Sequence, residues 1–147
     1  GDHGVTWVDF DNDGDLDLSI TDGYGPVGGH HLFRNELTEA QRNRQLQILV
    51  LDSEGNFTQA GAEVRLYDKQ GETLGARIVS TGGGYNAQDA APVYFAVNQS
   101  GPVTVEVRFM GPLGGTVQRI ENVSAQDYRG KALTVLRKTN NTTMVQN

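Results

Sequence analysis

Five aspartates fall within nine residues near the start of this chain, in the run from Asp9 to Asp17. Asp9, Asp11, Asp13 and Asp17 occupy relative positions 1, 3, 5 and 9 of this run, and Gly14 occupies position 6. In calcium loops, side chains at such spacing turn inward around the ion, and a glycine at the sixth position permits the sharp turn. Without a cation, carboxylates about 4 Å apart repel by on the order of 1 kcal/mol per pair in water. The run therefore predicts a tight loop around a cation, with calcium favoured over magnesium.

The same spacing predicts the ligands and the cofactor. Asp9, Asp11, Asp13 and Asp17 would supply side-chain oxygens and Asp15 its backbone carbonyl, so the predicted metal site comprises all five aspartates and binds Ca2+. An aspartate-rich surface turn that binds no ion is the alternative. Residues 1–22 hold seven Asp and no Lys or Arg, whereas the rest of the chain has 11 acidic and 12 basic residues. The net charge of −6 is therefore local, which favours one focused cation site.

The segments on either side of this loop distinguish it from an EF-hand. An EF-hand requires a bidentate Glu at position 12 and a helix on each side, whereas position 12 here is Ile20. Residues 5–8 and 16–21 alternate in polarity and are rich in β-branched and aromatic side chains, which indicates strands. The loop is therefore predicted to join the two strands of a β-hairpin.

The segment GVTWVDFDNDGDLDL (residues 4–18), followed by LFRN (residues 32–35), resembles one FG-GAP/VCBS-type repeat. In that family each repeat is a blade of a β-propeller, with calcium held in a strand-to-strand loop. The resemblance covers residues 1–36 and implies that the five aspartates are the calcium ligands. A second Asp-x-Asp-x-Asp-Gly pattern is absent from the sequence, and one blade cannot close a propeller. We therefore expect a single calcium-binding, propeller-blade-like hairpin over residues 1–36.

The remainder of the chain predicts an all-β fold. Residues 37–44 are polar and indicate a linker or one helical turn. Strand patterns separated by glycine-rich turns follow at residues 45–51, 62–67, 73–80, 93–97, 103–109, 116–121 and 132–137. Six or seven antiparallel strands predict a β-sandwich over residues 45–138, and the polar residues 139–147 indicate a flexible tail.

This region also resembles a known family. QLQILVL (residues 45–51) and AGAEVRL (60–66) resemble the start of an ASPIC/UnbV domain, and RIVSTGGGYNAQ (77–88) resembles its glycine-rich motif. Residues 103–109 with GPLG (111–114), and then IENV (120–123), resemble its later segments; the resemblance covers roughly residues 43–127. Phe109 stands where the family has Trp, and Tyr94 and Ala96 depart from its His-Phe-Gly pattern. The two families commonly occur in this order, which implies the C-terminal part of a secreted or cell-surface protein.

Composition and motifs exclude several classes of function. The chain has no cysteine, so it has neither disulfides nor thiolate metal sites, and it has no 18-residue apolar run that would predict a membrane span. An acidic pI near 4.9 without a basic stripe disfavours nucleic-acid binding. Nucleophile-elbow and His-Glu-x-x-His patterns are absent. We therefore expect a non-enzymatic extracellular calcium-binding module that mediates adhesion or protein interaction.

Two alternative functions remain open. The chain could be a subunit of an extracellular assembly or filament built by pairing of sheet edges, which would require self-association. It could instead be a carbohydrate-binding module that uses Tyr24 or Tyr85, both beside glycine-rich loops. The expected partner is accordingly a protein or a glycan. For Trp7, which lies in an alternating strand, we expect packing in the core.

Two further motifs favour structural explanations. Gly82-Gly83-Gly84 could cradle a phosphate, but no Lys-Ser/Thr or helix pattern follows it, so a turn or bulge is the better interpretation. His30-His31 could bind a transition metal, but adjacent residues of a strand point to opposite faces. A solvated loop tip is therefore the better interpretation of the histidine pair.

Overall fold

A computed structural model describes residues 2–22, 28–84, 87–89, 92–111 and 115–138. The predicted all-β fold is confirmed. The strands are β1 (Asp2–Val8), β2 (Asp17–Asp22), β3 (His30–Phe33), β4 (Gln45–Leu51), β5 (Glu63–Tyr67), β6 (Thr73–Ile78), β7 (Val93–Ala96), β8 (Val103–Phe109), β9 (Thr116–Val123) and β10 (Leu133–Leu136). Two short helical segments interrupt them, α1 (Glu39–Arg42) and a 3-10 helix (Ala125–Tyr128). None of the helices in the described residues is long and apolar enough to cross a membrane.

Strands β1, β2 and β3 form the N-terminal sheet, with β2 in the middle and both pairings antiparallel. Trp7 lies opposite Leu18, and Val8 lies opposite Asp17, so the aspartate run forms the connection between two paired strands. This agrees with the alternation of polarity in the sequence. The third strand, β3, extends the predicted hairpin into a sheet.

The polar segment between the N-terminal sheet and the sandwich contains one helical turn, α1. Its N-cap is Thr38, whose hydroxyl accepts a hydrogen bond from the Gln41 backbone N–H at 3.4 Å. The Gln41 side chain in turn accepts from the Thr38 backbone N–H at 2.8 Å. This capping box satisfies two amides that the helix itself leaves without partners. It fixes the position of Arg42, the last residue of α1.

The other seven strands form two facing sheets of a β-sandwich. The small sheet has the order β10-β4-β7 and the large sheet the order β6-β5-β8-β9. Their buried side chains form one apolar core. The core residues are Leu46, Ile48, Val50, Ala62, Val64, Leu66, Phe95, Val97, Val103, Val105, Val107, Phe109, Val123, Leu133 and Val135.

The expectation that every strand pairs antiparallel is wrong for β10. This strand runs parallel to β4, with Leu133 opposite Ile48 and Leu136 opposite Leu51. The 3-10 helix follows β9 and leads the chain from the large sheet to the edge of the small one. Alternation of Leu133 and Val135 with exposed residues specifies which side chains are buried, but it does not specify strand direction.

The N-terminal sheet contacts the sandwich through the segment that follows the glycine-rich turn. The Thr6 hydroxyl donates to the Gln88 carbonyl at 2.6 Å, and the Trp7 backbone N–H donates to Asp89 Oδ1 at 3.1 Å. Gly83 lies against this carboxylate, because a Cβ at residue 83 would be 2.9 Å from both Asp89 oxygens. The absence of a side chain at Gly83 therefore permits Asp89 to bridge the turn and β1.

Candidate metal centre

The loop between β1 and β2 turns sharply at two residues with left-handed backbone conformations. Asn12 has φ of 58° and Gly14 has φ of 98°. Asparagine tolerates this region better than most residues, and glycine adopts it without steric cost. The predicted turning role of Gly14 is therefore confirmed.

Asp9 ties the start of the loop to its turn. Its carboxylate accepts hydrogen bonds from the backbone N–H groups of Asp13 and Gly14, each at 3.0 Å. These two bonds hold the chain in a curl around the Asp9 side chain. They use one lone pair on each oxygen, so further acceptor capacity remains on both.

Asp17, the first residue of β2, ties the loop to the segment after β3. It is only 1% exposed. Its Oδ2 accepts from the Phe10 backbone N–H at 3.1 Å, and its Oδ1 accepts from the Asn35 backbone N–H at 2.8 Å. The Asn35 side chain then donates to the Leu16 carbonyl at 3.2 Å. Two distant parts of the N-terminal sheet thus converge on one buried carboxylate.

Three of the five predicted ligands lie together. Asp9, Asp11 and Asp17 each offer a carboxylate oxygen, and these oxygens all lie within 4.8 Å of one another. Asp13 and Asp15 are outside this group and face Arg42, whose Nε is 3.4 Å from Asp13 Oδ2 and 3.3 Å from Asp15 Oδ2. The structure therefore divides the aspartate run into a carboxylate cluster and an arginine-paired portion.

Asp15 is the most deeply buried charged group of the loop, with 0% exposure. Its Oδ2 accepts from Arg42 Nε. Within the described part of the chain, no group donates a hydrogen bond to its Oδ1, which is also buried. Burying a carboxylate oxygen without a partner is costly, so this atom indicates a site that is electrostatically incomplete. The sequence assigned only the backbone carbonyl of this residue to an ion.

Two arginines offset part of the negative charge. Arg34 Nε lies 2.9 Å from Asp11 Oδ2, and the Arg34 side chain is more than half exposed. Arg42 is more buried and donates from its second nitrogen to the Leu37 carbonyl at 2.7 Å, which fixes its orientation. Two guanidinium groups against five carboxylates leave an excess of negative charge in the loop.

This excess affects proton binding. Burial raises the pKa of Asp9 above its ordinary value, against the opposing effect of its two backbone hydrogen bonds, and the Asp13 and Asp11 charges raise it further. Burial and then the Asp13 charge raise the pKa of Asp15, although Arg42 opposes the shift. Tyr94 of β7 is partly buried nearby, and burial followed by the Asp9 and Asp17 charges raises its pKa to about 12. Burial is the largest cause of all three shifts, and the charges of neighbouring carboxylates add to each.

The residues present fit a hard divalent cation. Calcium takes six to eight oxygen ligands in flexible geometry, and aspartate carboxylates are among its preferred donors. The carboxylate cluster supplies three such groups, and each retains lone pairs beyond those used by backbone N–H groups. Backbone carbonyls and water would complete the set. A cation would also balance the carboxylate charges that, after burial, raise the pKa values of Asp9 and Asp15.

The other sequence candidates have different outcomes. The histidine pair lies in strand β3 rather than in the expected loop tip, although both residues are exposed. His30 Nε2 is 2.6 Å from Ser19 Oγ, and His31 is beside the ring of Phe33. Gly84 and Ala87 form an antiparallel bridge, which supports the turn interpretation of the glycine triplet. Tyr24 and Tyr85 lie outside the described residues.

The expectation that Trp7 packs in the core is wrong. Trp7 is 48% exposed. Alternation placed it on the same face of the N-terminal sheet as Leu18 and Phe33, but none of these three side chains belongs to the sandwich core. A period-2 pattern identifies a common face and does not show what packs against it.

The sequence reasoning missed three residues that shape the site. Arg42 was part of a segment interpreted only as polar, yet it reaches the aspartates 27 residues earlier. Asn35 belongs to the LFRN segment, so its position after β3 was a usable signal. Asp89 follows the glycine-rich turn and bonds to β1, more than 80 residues away in sequence. Contacts at such separations depend on the tertiary fold.

The comparison with known proteins gives a match for the sandwich region of the chain. A family model described as "ASPIC and UnbV" matches residues 52–141, which is more than half of the chain. No curated protein and no solved structure matches the chain. The matched region begins just after β4, although β4 contributes Leu46, Ile48 and Val50 to the same core. The resemblance of residues 1–36 to an FG-GAP/VCBS repeat stays a prediction from the sequence. The chain belongs to the ASPIC and UnbV family.

Proposed function

We propose that this chain is a non-enzymatic calcium-binding module of an extracellular or cell-surface protein. In this proposal, calcium holds the loop between β1 and β2 in one conformation and so orders the N-terminal sheet for adhesion or protein interaction. Membership of the ASPIC and UnbV family is consistent with an extracellular-type module. Calcium is plentiful outside cells, where modules of modest affinity suffice.

The observation that carries the proposal is the carboxylate cluster. Asp9, Asp11 and Asp17 come together at the turn, and the wholly buried Asp15 beside them has an oxygen without a hydrogen-bond partner in the described structure. A surface turn that binds nothing would keep its carboxylates apart and hydrated, because like charges repel. Convergence combined with burial favours a bound cation.

Each residue of the cluster has a distinct role in this proposal. Asp17 would orient the site, since its two backbone hydrogen bonds fix the carboxylate before an ion arrives. Asp9 would be oriented in the same way by the turn amides. The Asp11 carboxylate would move most when the ion binds, because it forms an ion pair with the exposed side chain of Arg34.

Calorimetric titration of calcium into the chain tests the proposal. We expect saturable binding of about one ion, with Asp11→Ala and Asp9→Asn each weakening the affinity by at least about tenfold, which corresponds to about 1.4 kcal/mol. Asp68→Asn is the matched control. Like Asp9, the Asp68 carboxylate accepts two backbone N–H groups, from Gln70 and Glu72, but it belongs to a different turn.

The ligand assignment would be contradicted if Asp9→Asn and Asp11→Ala bound calcium as tightly as the native chain. If Asp68→Asn lost as much heat of calcium binding as the two cluster variants, the loss would reflect net charge in general rather than a defined calcium site. Magnesium should bind more weakly than calcium, because it demands a tighter octahedron than side chains of this cluster offer.

A further inference from the structure

A cavity, which we call the junction cavity, lies between the N-terminal sheet and the sandwich. It has a volume of about 230 Å3. Trp7 and Leu16 line it from the N-terminal sheet and its loop. The sandwich side contributes the apolar residues Ile78, Pro92 and Val93 together with Arg77, Ser80, Asp89 and Tyr94. Both parts of the chain are therefore needed to form it.

Two aromatic side chains give this junction cavity flat apolar surfaces. The indole of Trp7 is half exposed although it is the only tryptophan of the chain. Tyr94 lies in β7 and presents a partly buried ring to the same cavity. A half-exposed tryptophan in a concave site has a large apolar area available for a ligand.

Charged residues of both signs also line the cavity. Arg77 of β6 lies with its guanidinium 5.5 Å from the centre of the Phe95 ring and donates to the Ala76 carbonyl at 2.9 Å, which leaves other N–H groups for a ligand. The Asp89 carboxylate is held in place by Thr6 and by the backbone N–H of Trp7. The cavity thus combines oriented donors and acceptors with no large net charge.

We propose that the junction cavity binds a neutral pyranose unit of a saccharide. A pyranose ring has one face of C–H groups that stacks on an aromatic ring, and equatorial hydroxyls that both donate and accept hydrogen bonds. Trp7 and Tyr94 match the first property; Arg77 and Asp89 match the second. The volume suits one ring rather than a longer ligand. Opposite charges on Arg77 and Asp89 favour a neutral sugar over an acidic one.

Ile78, Pro92 and Val93 make part of the lining apolar, but Arg77 and Asp89 favour a saccharide over the apolar side chain of a peptide. An apolar side chain would remove water from the guanidinium and the carboxylate. It would offer no hydrogen bonds in place of those that water makes with these groups, which is unfavourable. A larger, polar cleft of about 430 Å3 lies elsewhere, between residues 98–102 and the 3-10 helix. Its described lining contains Asn, Gln, Ser and Pro side chains and no aromatic ring, so it lacks the stacking surface.

The junction cavity lies next to the candidate metal centre. Trp7 is two residues before Asp9, and Tyr94 is close enough to Asp9 and Asp17 for their charges to affect it. Ordering of the loop by an ion would fix the Trp7 and Leu16 wall of the cavity. Saccharide binding should therefore be stronger with calcium than with chelator; this dependence, unlike the cavity itself, rests on the proposed function.

Fluorescence of Trp7 provides the test, because this residue is the only tryptophan and lines the cavity. The full chain is first saturated with calcium and then titrated with neutral oligosaccharides of glucose, galactose, mannose and N-acetylglucosamine. We expect a saturable change in emission with at least one of them. Arg77→Gln should weaken this binding by about tenfold through loss of charged hydrogen bonds.

Arg119→Gln is the matched control. Arg119 also lies over an aromatic ring, 5.3 Å from the centre of Tyr67, and it is about half exposed, but it does not line the cavity. Its substitution should leave saccharide affinity within about twofold. Equal losses in Arg77→Gln and Arg119→Gln would overturn the assignment of the cavity.

Two results separate this inference from the proposed function. If calcium binds but no saccharide of the panel alters Trp7 emission, the saccharide site is wrong and the calcium module stands. If a saccharide binds equally well in calcium and in chelator, the site is supported and its coupling to the loop is wrong. The inference would also be overturned if short apolar peptides changed the Trp7 emission and none of the saccharides did.

Discussion

Replacing Asp17 with alanine removes the side chain on which the N-terminal sheet converges. The native carboxylate is 1% exposed and accepts backbone hydrogen bonds from Phe10 at 3.1 Å and Asn35 at 2.8 Å. A hydrogen bond to a charged group contributes about 1.5 to 3 kcal/mol. At the lower value for each, the two bonds together contribute about 3 kcal/mol. Asp17→Ala should therefore destabilise the loop by about 3 kcal/mol even without calcium.

Amide hydrogen exchange in chelator measures this effect locally. Since a tenfold change in an equilibrium constant corresponds to about 1.4 kcal/mol, about 3 kcal/mol predicts exchange roughly 100-fold faster at the Phe10 and Asn35 amides. Amides of β8 in the sandwich core should keep their native rates, because β8 has no contact with this carboxylate in the described structure.

Asp11→Ala is the control for this experiment. Asp11 belongs to the same carboxylate cluster, but its recorded contact is an ion pair with the exposed Arg34, worth at most about 1 kcal/mol. Exchange at Phe10 and Asn35 should then change by less than about fivefold in chelator. Unchanged exchange in Asp17→Ala, or equal changes in both variants, would refute the idea that Asp17 organises the loop before an ion binds.

Three further predictions concern the rest of the chain. Leu46→Ala, at a position with no exposure, should lower the free energy of unfolding by about 2 to 5 kcal/mol in urea denaturation; a loss below about 1 kcal/mol would contradict the core assignment. Hydrogen bonds, of which that from the Asn56 backbone N–H has the largest effect, lower the pKa of Asp52 to about 2. The ionised carboxylate therefore stabilises the folded chain above its ordinary pKa near 3.8, and this stabilisation disappears as pH falls through about 2. Asp52→Asn should therefore melt lower than the native chain at pH 7, and the difference should become small in melts near pH 2; a constant difference would be inconsistent with this. Gly83→Ala should displace the Asp89 carboxylate and speed exchange of the β1 amide that donates to it, whereas native exchange there would contradict the close approach.

Periodicity in the sequence was enough to locate most strands. The alternation of Val103, Val105, Val107 and Phe109 predicted β8 with its observed bounds, since these side chains share the buried face. The pattern did not predict that Glu106, on the opposite face, is also buried. Glu106 is covered by its neighbours on adjacent strands, such as Arg119 at 3.4 Å, and cross-strand neighbours depend on register rather than on local sequence.

The candidate site was predictable in part. Spacing within the run correctly placed the turn at Gly14 and brought Asp9, Asp11 and Asp17 together, because these are local consequences of the loop. Spacing did not indicate that Asp13 and Asp15 face a guanidinium. That contact depends on where α1 places Arg42 after the chain has passed through the whole N-terminal sheet.

The exposure of Trp7 and the cavity beside it also lay beyond local pattern. Trp7 and Asp89, which are joined by a hydrogen bond from the Trp7 backbone N–H, both line the cavity although they are more than 80 residues apart. Side chains from four separate segments meet there. A single sequence contains no periodic signal for such a meeting.

Thermal unfolding with and without calcium tests the central claim most directly. Extracellular calcium modules have dissociation constants near 0.1 mM, so about 10 mM free calcium is roughly 100 times that value and stabilises the folded chain by about 2.7 kcal/mol. For a chain of this length, the midpoint should rise by about 5 to 10 °C relative to chelator. Magnesium at the same concentration should give a smaller rise, and Asp11→Ala should abolish most of the calcium effect. An unchanged midpoint in calcium, or an equal rise in magnesium and calcium, would contradict the calcium-module account.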